Sequence, residues 1–108
     1  MGNQIPDTSR VSVRTRSHHR CERCGVPAPH GEWHHRRSRS VRDEHCHCAC
    51  NGVWLCTTCH RDVHAHPVYA RDTGFIVSRH IDLPGTVAVT TPWGIRLHDC
   101  GGGYIFTL

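Results

Sequence analysis

The chain has 108 residues, with eight cysteines, twelve histidines and a formal net charge of +4. A chain this short buries a modest share of its surface, so an apolar core alone gives marginal stability and a metal or disulfide staple is expected. No stretch is long and apolar enough to span a membrane, and the N-terminal run lacks the apolar segment of a secretory leader. The expectation is a cytoplasmic protein with no membrane association, where paired cysteines more often mean metal than disulfides.

Every one of the 13 basic residues is arginine, and nine of them lie in the first fifty residues against five acids. A GC-rich genome gives an arginine-rich, lysine-free composition without any functional demand. The asymmetry is more informative, because a basic segment beside a candidate site is what a phosphate-backbone partner requires.

In chain order, residues 1–17 are polar and basic with few large apolar side chains, and read as a flexible N-terminal arm that can also touch DNA. Residues 18–66 hold most of the metal-ligand types and form the expected core. "CERC" (Cys21, Cys24) and "CTTC" (Cys56, Cys59) are two C-x-x-C pairs, a spacing that lets two thiolates grip one ion from a tight turn. A redox C-x-x-C needs only one pair and a βαβ context that is absent. The expectation is one structural zinc on Cys21, Cys24, Cys56 and Cys59, supplying folding energy that the small core lacks.

"EWHH" (Glu32 to His35) reads as the end of a strand, so His34 and His35 point to opposite sides and are not expected to serve one ion in the same way. "NGVWLC" reads as a second strand opened by the turn-favouring Asn51-Gly52 pair. Between them, "HCHCAC" alternates Cys46, Cys48 and Cys50, which in an extended segment share a face. With Cys100 they can make a second four-thiolate site, but loop thiols are the preferred reading; His45 and His47 can compete for metal, with solvated or supporting roles preferred.

"TTCHRDVHAH" reads as a helix capped by Thr57 or Thr58 and stopped before Pro67. His60 and His64 stand at i, i+4 and share a face, which allows two imidazoles to hold one metal. One of the two strand histidines can join them, leaving an open position, while the other stays free to take a proton from water. A DNA-reading finger of the two-cysteine, two-histidine type fails, because Cys59 and His60 are adjacent.

Residues 67–108 read as an extension of the same domain. "HPVYARDTG" is a short helix from Pro67 to before Gly74, "FIVSRH" a strand, and "TVAVTT", "GIRLHD" and "GYIFTL" three more strands of a small antiparallel sheet. The expected fold class is α+β. Trp33 and Trp54 are expected in the core rather than stacked on bases.

The order His34-His35, Asn51, His60 and His64, framed by the two cysteine pairs, resembles the HNH (His-Asn-His) endonuclease family and its ββα-metal motif, over residues 21–66. With "HPVYARDTG" following, it is similar to the small HNH proteins of actinobacteria and their phages. The resemblance implies that His34, His60 and His64 hold one catalytic divalent ion, Mg, Mn, Ni or Zn. It implies that His35 is the general base and that Asn51 fixes the loop which orients it. It further implies DNA as the partner, low sequence specificity, and products with 5'-phosphate and 3'-hydroxyl ends, in a bacterial cell or phage-infected host. A phage terminase is a further partner compatible with it. Arg36, Arg37, Arg39 and Arg42 follow the histidine pair, where they can clamp phosphates or form a solvated loop. The chain departs from the family in the loop before Asn51, where "RSRSVRDEHCHCAC" replaces a glycine-rich stretch. The rival reading is a non-catalytic zinc-binding module that docks on nucleic acid or protein; it leaves the five motif residues unexplained.

Overall fold

The structure, a computed structural model, describes residues 4–107. It is an α+β fold of three α-helices and two small antiparallel sheets. No helix among the described residues is long and apolar enough to cross a membrane.

Of the segment read as a flexible arm, residues 1–3 lie outside the described residues and Asp7–Arg16 form helix α1, which corrects that expectation for them. Asp7 sits in its first turn and Arg14 and Arg16 in its last, the signs that suit the helix dipole. Helical propensity is not what holds it, since Val11 and Val13 are β-branched; packing against β2 does, with Val13 fully buried. Arg16 is buried too. Its guanidinium makes a two-pronged contact with Glu22, Nε to Oε2 at 3.0 Å and Nη2 to Oε1 at 2.8 Å, and also donates to the carbonyls of Ala49 and Gly52. An arginine that looks solvated in the sequence is therefore a core residue neutralised by a carboxylate.

Strand β1, Glu32–His35, pairs antiparallel with β2, Gly52–Leu55, matching Trp33 to Trp54 and His34 to Val53. Gly52 is required for space: a Cβ there would stand 2.2 Å from Cζ2 of Trp33. Both tryptophans are buried in the core with Val53, Leu55, Val63 and Phe75.

Helix α2, Thr57–Ala65, follows β2 directly. Its N-cap is Cys56 rather than either threonine: the sulfur accepts from the Cys59 amide at 3.4 Å, the role a hydroxyl has in an ordinary cap. Helix α3, Pro67–Asp72, has its proline in the first turn and ends before Gly74, whose φ is +86°. A Cβ on Gly74 would lie 2.0 Å from the Ala88 carbonyl oxygen, so only glycine fits.

"FIVSRH" does not form a strand. Val77 alone bridges to Arg37, because Arg36 offers one carbonyl to the Val77 amide and the chain then turns at Arg79 and His80, where the Ile81 amide donates to the Ser78 carbonyl. The remaining runs do form a sheet, β3 (Val89–Thr91), β4 (Gly94–His98) and β5 (Tyr104–Phe106), in the order β3-β4-β5. It is tied to the first half by Glu22, fully buried, which accepts from Arg96 at 2.9 Å as well as from Arg16 and from the Trp54 amide.

Candidate metal centres and the histidine cleft

The Sγ atoms of Cys21, Cys24, Cys56 and Cys59 all lie within 4.8 Å of one another, and none is in a disulfide. Cys24 and Cys56 are 3.9 Å apart. A tetrahedral ion with Zn–S bonds of about 2.3 Å holds its sulfurs about 3.8 Å apart, so the four cysteines fit a structural zinc. The surrounding donors suit thiolates. Backbone amides of Arg23 and Cys59 point at Cys21 and Cys56, and the Arg23 side chain donates to Cys59 at 3.5 Å while pairing with Asp62. Burial pushes the Cys21 thiol up, but the amides around it outweigh that and hold it below its ordinary value.

The second cluster joins β1 to α2. Ring nitrogens of His34, His60 and His64 also lie within 4.8 Å of one another, with ring centroids 5.0 Å apart for His34 and His60 and for His60 and His64, and 5.3 Å for His34 and His64. Antiparallel pairing fixes the face of β1 that carries His34, and the i, i+4 spacing of α2 brings its two histidines to that face. His34 is 4% exposed, and its Nε2 donates to the Phe75 carbonyl at 2.8 Å, which leaves Nδ1 with the lone pair. Burial, with the neighbouring histidines, pulls its pKa to about 4, so the ring is neutral at pH 7. The Glu32 carboxylate lies 3.4 Å from Nδ1 of His60 and favours the tautomer that frees Nε2.

His35 takes the other side of the strand. It stands edge-on to Trp33, with ring centroids 4.6 Å apart, and its Nε2 is 3.1 Å from Nδ1 of His47. Burial first, then the charges of His47 and Arg39, pull its pKa to about 4. His35, Cys46 and His47 form a further group close enough to share an ion. His34, His35, His60 and His64 nevertheless line one open cleft of about 510 Å³, with Arg39 at its side.

Asn51 is fully buried and works entirely on the loop between β1 and β2. Its Oδ1 accepts from the Arg37 amide at 2.7 Å, and its Nδ2 donates to the carbonyls of Arg37 and Cys46 at 3.2 and 3.0 Å.

Arg36 and Arg37 are not phosphate contacts, and that expectation is corrected. Both are 1% exposed. Arg36 donates to the carbonyls of Gly74, Cys50, Pro84 and Val87, and Arg37 to those of Ile81 and Asp82 and to Asp43. They bind the second half of the chain to the first. Arg39 is exposed beside the cleft, and Arg42 is exposed further along the loop.

The loop thiols do not sort as alternation implies, because residues 44–48 turn rather than extend. Cys46 faces His35 and His47, whereas Cys48 and Cys50 group with His45 and Cys100. Glu22 as the hub of a buried charge network was missed, and His45, assigned a solvated or supporting role, groups with Cys48, Cys50 and Cys100. The only local signal for Glu22 was an acid inside an otherwise basic C-x-x-C turn.

The fold and these clusters define a small α+β domain with groups of cysteines and histidines that can bind metal. Comparison with protein-family models, with curated proteins and with solved structures gives no significant match.

Proposed function

We propose that the protein is a metal-dependent DNA endonuclease of the HNH type. The observation that carries this reading is the division of labour at β1: His34 groups with His60 and His64, while His35 stays outside that group and opens into the same cleft. The three imidazoles suit a single divalent ion, since the set contains no carboxylate pair to hold a second. Bound there, such an ion supplies Lewis-acid stabilisation to a phosphodiester and to its leaving 3'-oxygen.

The protein's own groups do the rest. His35, neutral at physiological pH, accepts the proton of the attacking water. Asn51 keeps the loop that carries His47 and Arg39 closed against β1, and so holds the base in place. Arg39 is the cation at the cleft that can meet a backbone phosphate. Contacts of that kind position DNA without reading its bases, so sequence preference is low. A zinc held by the four cysteines would be structural.

A second reading, a non-catalytic zinc-binding docking module, is favoured by one contact: Nε2 of His35 faces His47 rather than an open approach. Incubation of zinc-loaded protein with supercoiled plasmid and Mg, Mn, Ni or Zn distinguishes the two. Divalent-dependent nicking supports the endonuclease; folded, DNA-binding protein that cuts with none of these metals supports the module.

A further inference from the structure

We propose that His45, Cys48, Cys50 and Cys100 form a second structural zinc site, which clamps the loop between β1 and β2 to the turn between β4 and β5. Their donor atoms all lie within 4.8 Å of one another. Sγ of Cys100 is 3.8 Å from Sγ of Cys50 and 3.9 Å from Nδ1 of His45. Sulfur and nitrogen bonds of about 2.3 and 2.0 Å to a tetrahedral zinc set S–S and S–N edges of about 3.8 and 3.5 Å, so the first separation matches and the second closes by a few tenths of an ångström. A disulfide would need the Cys50 and Cys100 sulfurs about 2.05 Å apart, and both thiols are free.

The site is assembled from two distant parts of the chain. Cys50 is fully buried in a short 3-10 turn, Ala49–Asn51, that leads into β2. Cys100 comes from the β4–β5 turn, which Asp99 shapes by accepting from the amides of Gly101 and Gly103 at 2.9 and 2.8 Å. Gly102, with φ of +90°, completes that turn. Three sulfurs and one imidazole nitrogen converge on one point, a crowding of lone pairs. A divalent cation relieves it by accepting three thiolates and one imidazole at once.

Three thiolates and one imidazole select zinc over Mg or Mn, because soft sulfur ligands suit zinc and tetrahedral geometry. The consequence for the cleft is direct. Cys46 and His47, which border His35, lie within the segment that the clamp would anchor at His45, Cys48 and Cys50.

Zinc counting by native mass spectrometry tests this, using the full chain purified under reducing conditions with zinc. A His60→Ala, His64→Ala, His47→Ala background removes the histidine site and the group of His35, Cys46 and His47 from the count. Two zinc ions per chain are expected in that background. Adding Cys100→Ser should leave one, and Cys100→His, which keeps a ligand, should restore two. In cobalt-substituted protein, Cys100→Ser should cut the thiolate charge-transfer absorbance while the four-cysteine share persists. One zinc per chain before Cys100 is altered, or two that survive Cys100→Ser, would overturn the proposal, as would a chain two hydrogens lighter with a Cys50–Cys100 disulfide.

Discussion

His34 and His60 face each other across the contact between β1 and α2 with ring centroids 5.0 Å apart, one ring fixed by the Phe75 carbonyl and the other beside the Glu32 carboxylate. Each second partner leaves a different nitrogen for a shared ion, Nδ1 on His34 and Nε2 on His60. Removal of His60 is therefore expected to abolish binding of Mn by the histidine cluster. Calorimetric titration of His60→Ala with Mn should show no heat of site binding, while the zinc content of the four cysteines is unchanged. Glu32→Gln should weaken Mn binding by about 10-fold, the lower end of what supporting partners of metal ligands contribute.

The acid limb of activity is expected to report His35. Its pKa is held at about 4 by burial, His47 and Arg39, and a base works only when deprotonated. Activity should therefore persist as pH falls to about 5 at saturating Mn. Removing the His47 charge lets the pKa rise, so in His47→Ala the loss should begin at higher pH, nearer the reference value of about 6.5. Single-turnover nicking across pH measures the displacement; identical limbs would show that His35 is not the group that titrates.

The arginines after the histidine pair should separate into two behaviours. Arg39→Ala is expected to weaken DNA binding and to reduce the slope of log affinity against log salt by about 1, the share of one phosphate contact. Arg36→Met should leave that slope alone and lower thermal stability, since it strips donors from the carbonyls of Gly74, Cys50, Pro84 and Val87.

Stability at acid pH is expected to depend on His98. The ring is buried, neither nitrogen has a hydrogen-bond partner, and burial together with Arg16, Arg36 and Arg96 lowers its pKa. A histidine with a depressed folded pKa is protonated first in the unfolded chain. Its contribution to stability is whole above about pH 6.5 and is lost as pH falls below that value. Chemical denaturation from pH 7 to pH 5 should show His98→Leu with a shallower decline, by up to about 1.4 kcal/mol per pH unit at the acid end.

The buried carboxylate at Glu22 should be the most sensitive side chain outside the metal sites. It accepts from Arg16, Arg96 and the Trp54 amide, so Glu22→Gln leaves two guanidinium groups without their counter-charge. A loss of about 3–5 kcal/mol is expected from denaturant unfolding of the zinc-loaded protein. A loss below about 1 kcal/mol would mean that water reaches the network.

What the sequence made legible was local. Alternation separated His34 from His35, i, i+4 spacing paired His60 with His64, and Pro67 and Gly74 bounded α3, each a rule that spans only a few residues. What it concealed depended on partners far along the chain. Arg16 looked solvated because Ala49 and Gly52 lie more than thirty residues away, and Arg36 looked like a phosphate ligand because its carbonyl partners are in the C-terminal half. Cys46 was grouped with Cys48 and Cys50 by an extended geometry that the loop does not adopt. His45 replaces it for the same reason.

The most direct measurement of the central claim is single-turnover cleavage of supercoiled plasmid by zinc-loaded protein beside zinc-loaded His35→Ala, at Mn concentrations shown to fill the histidine site in both. The expected result is divalent-dependent nicking by the native chain and a rate lower by about 10²–10⁴-fold in the variant, the contribution of a general base. Equal rates, or no cleavage by folded native protein with its histidine site filled, would contradict it.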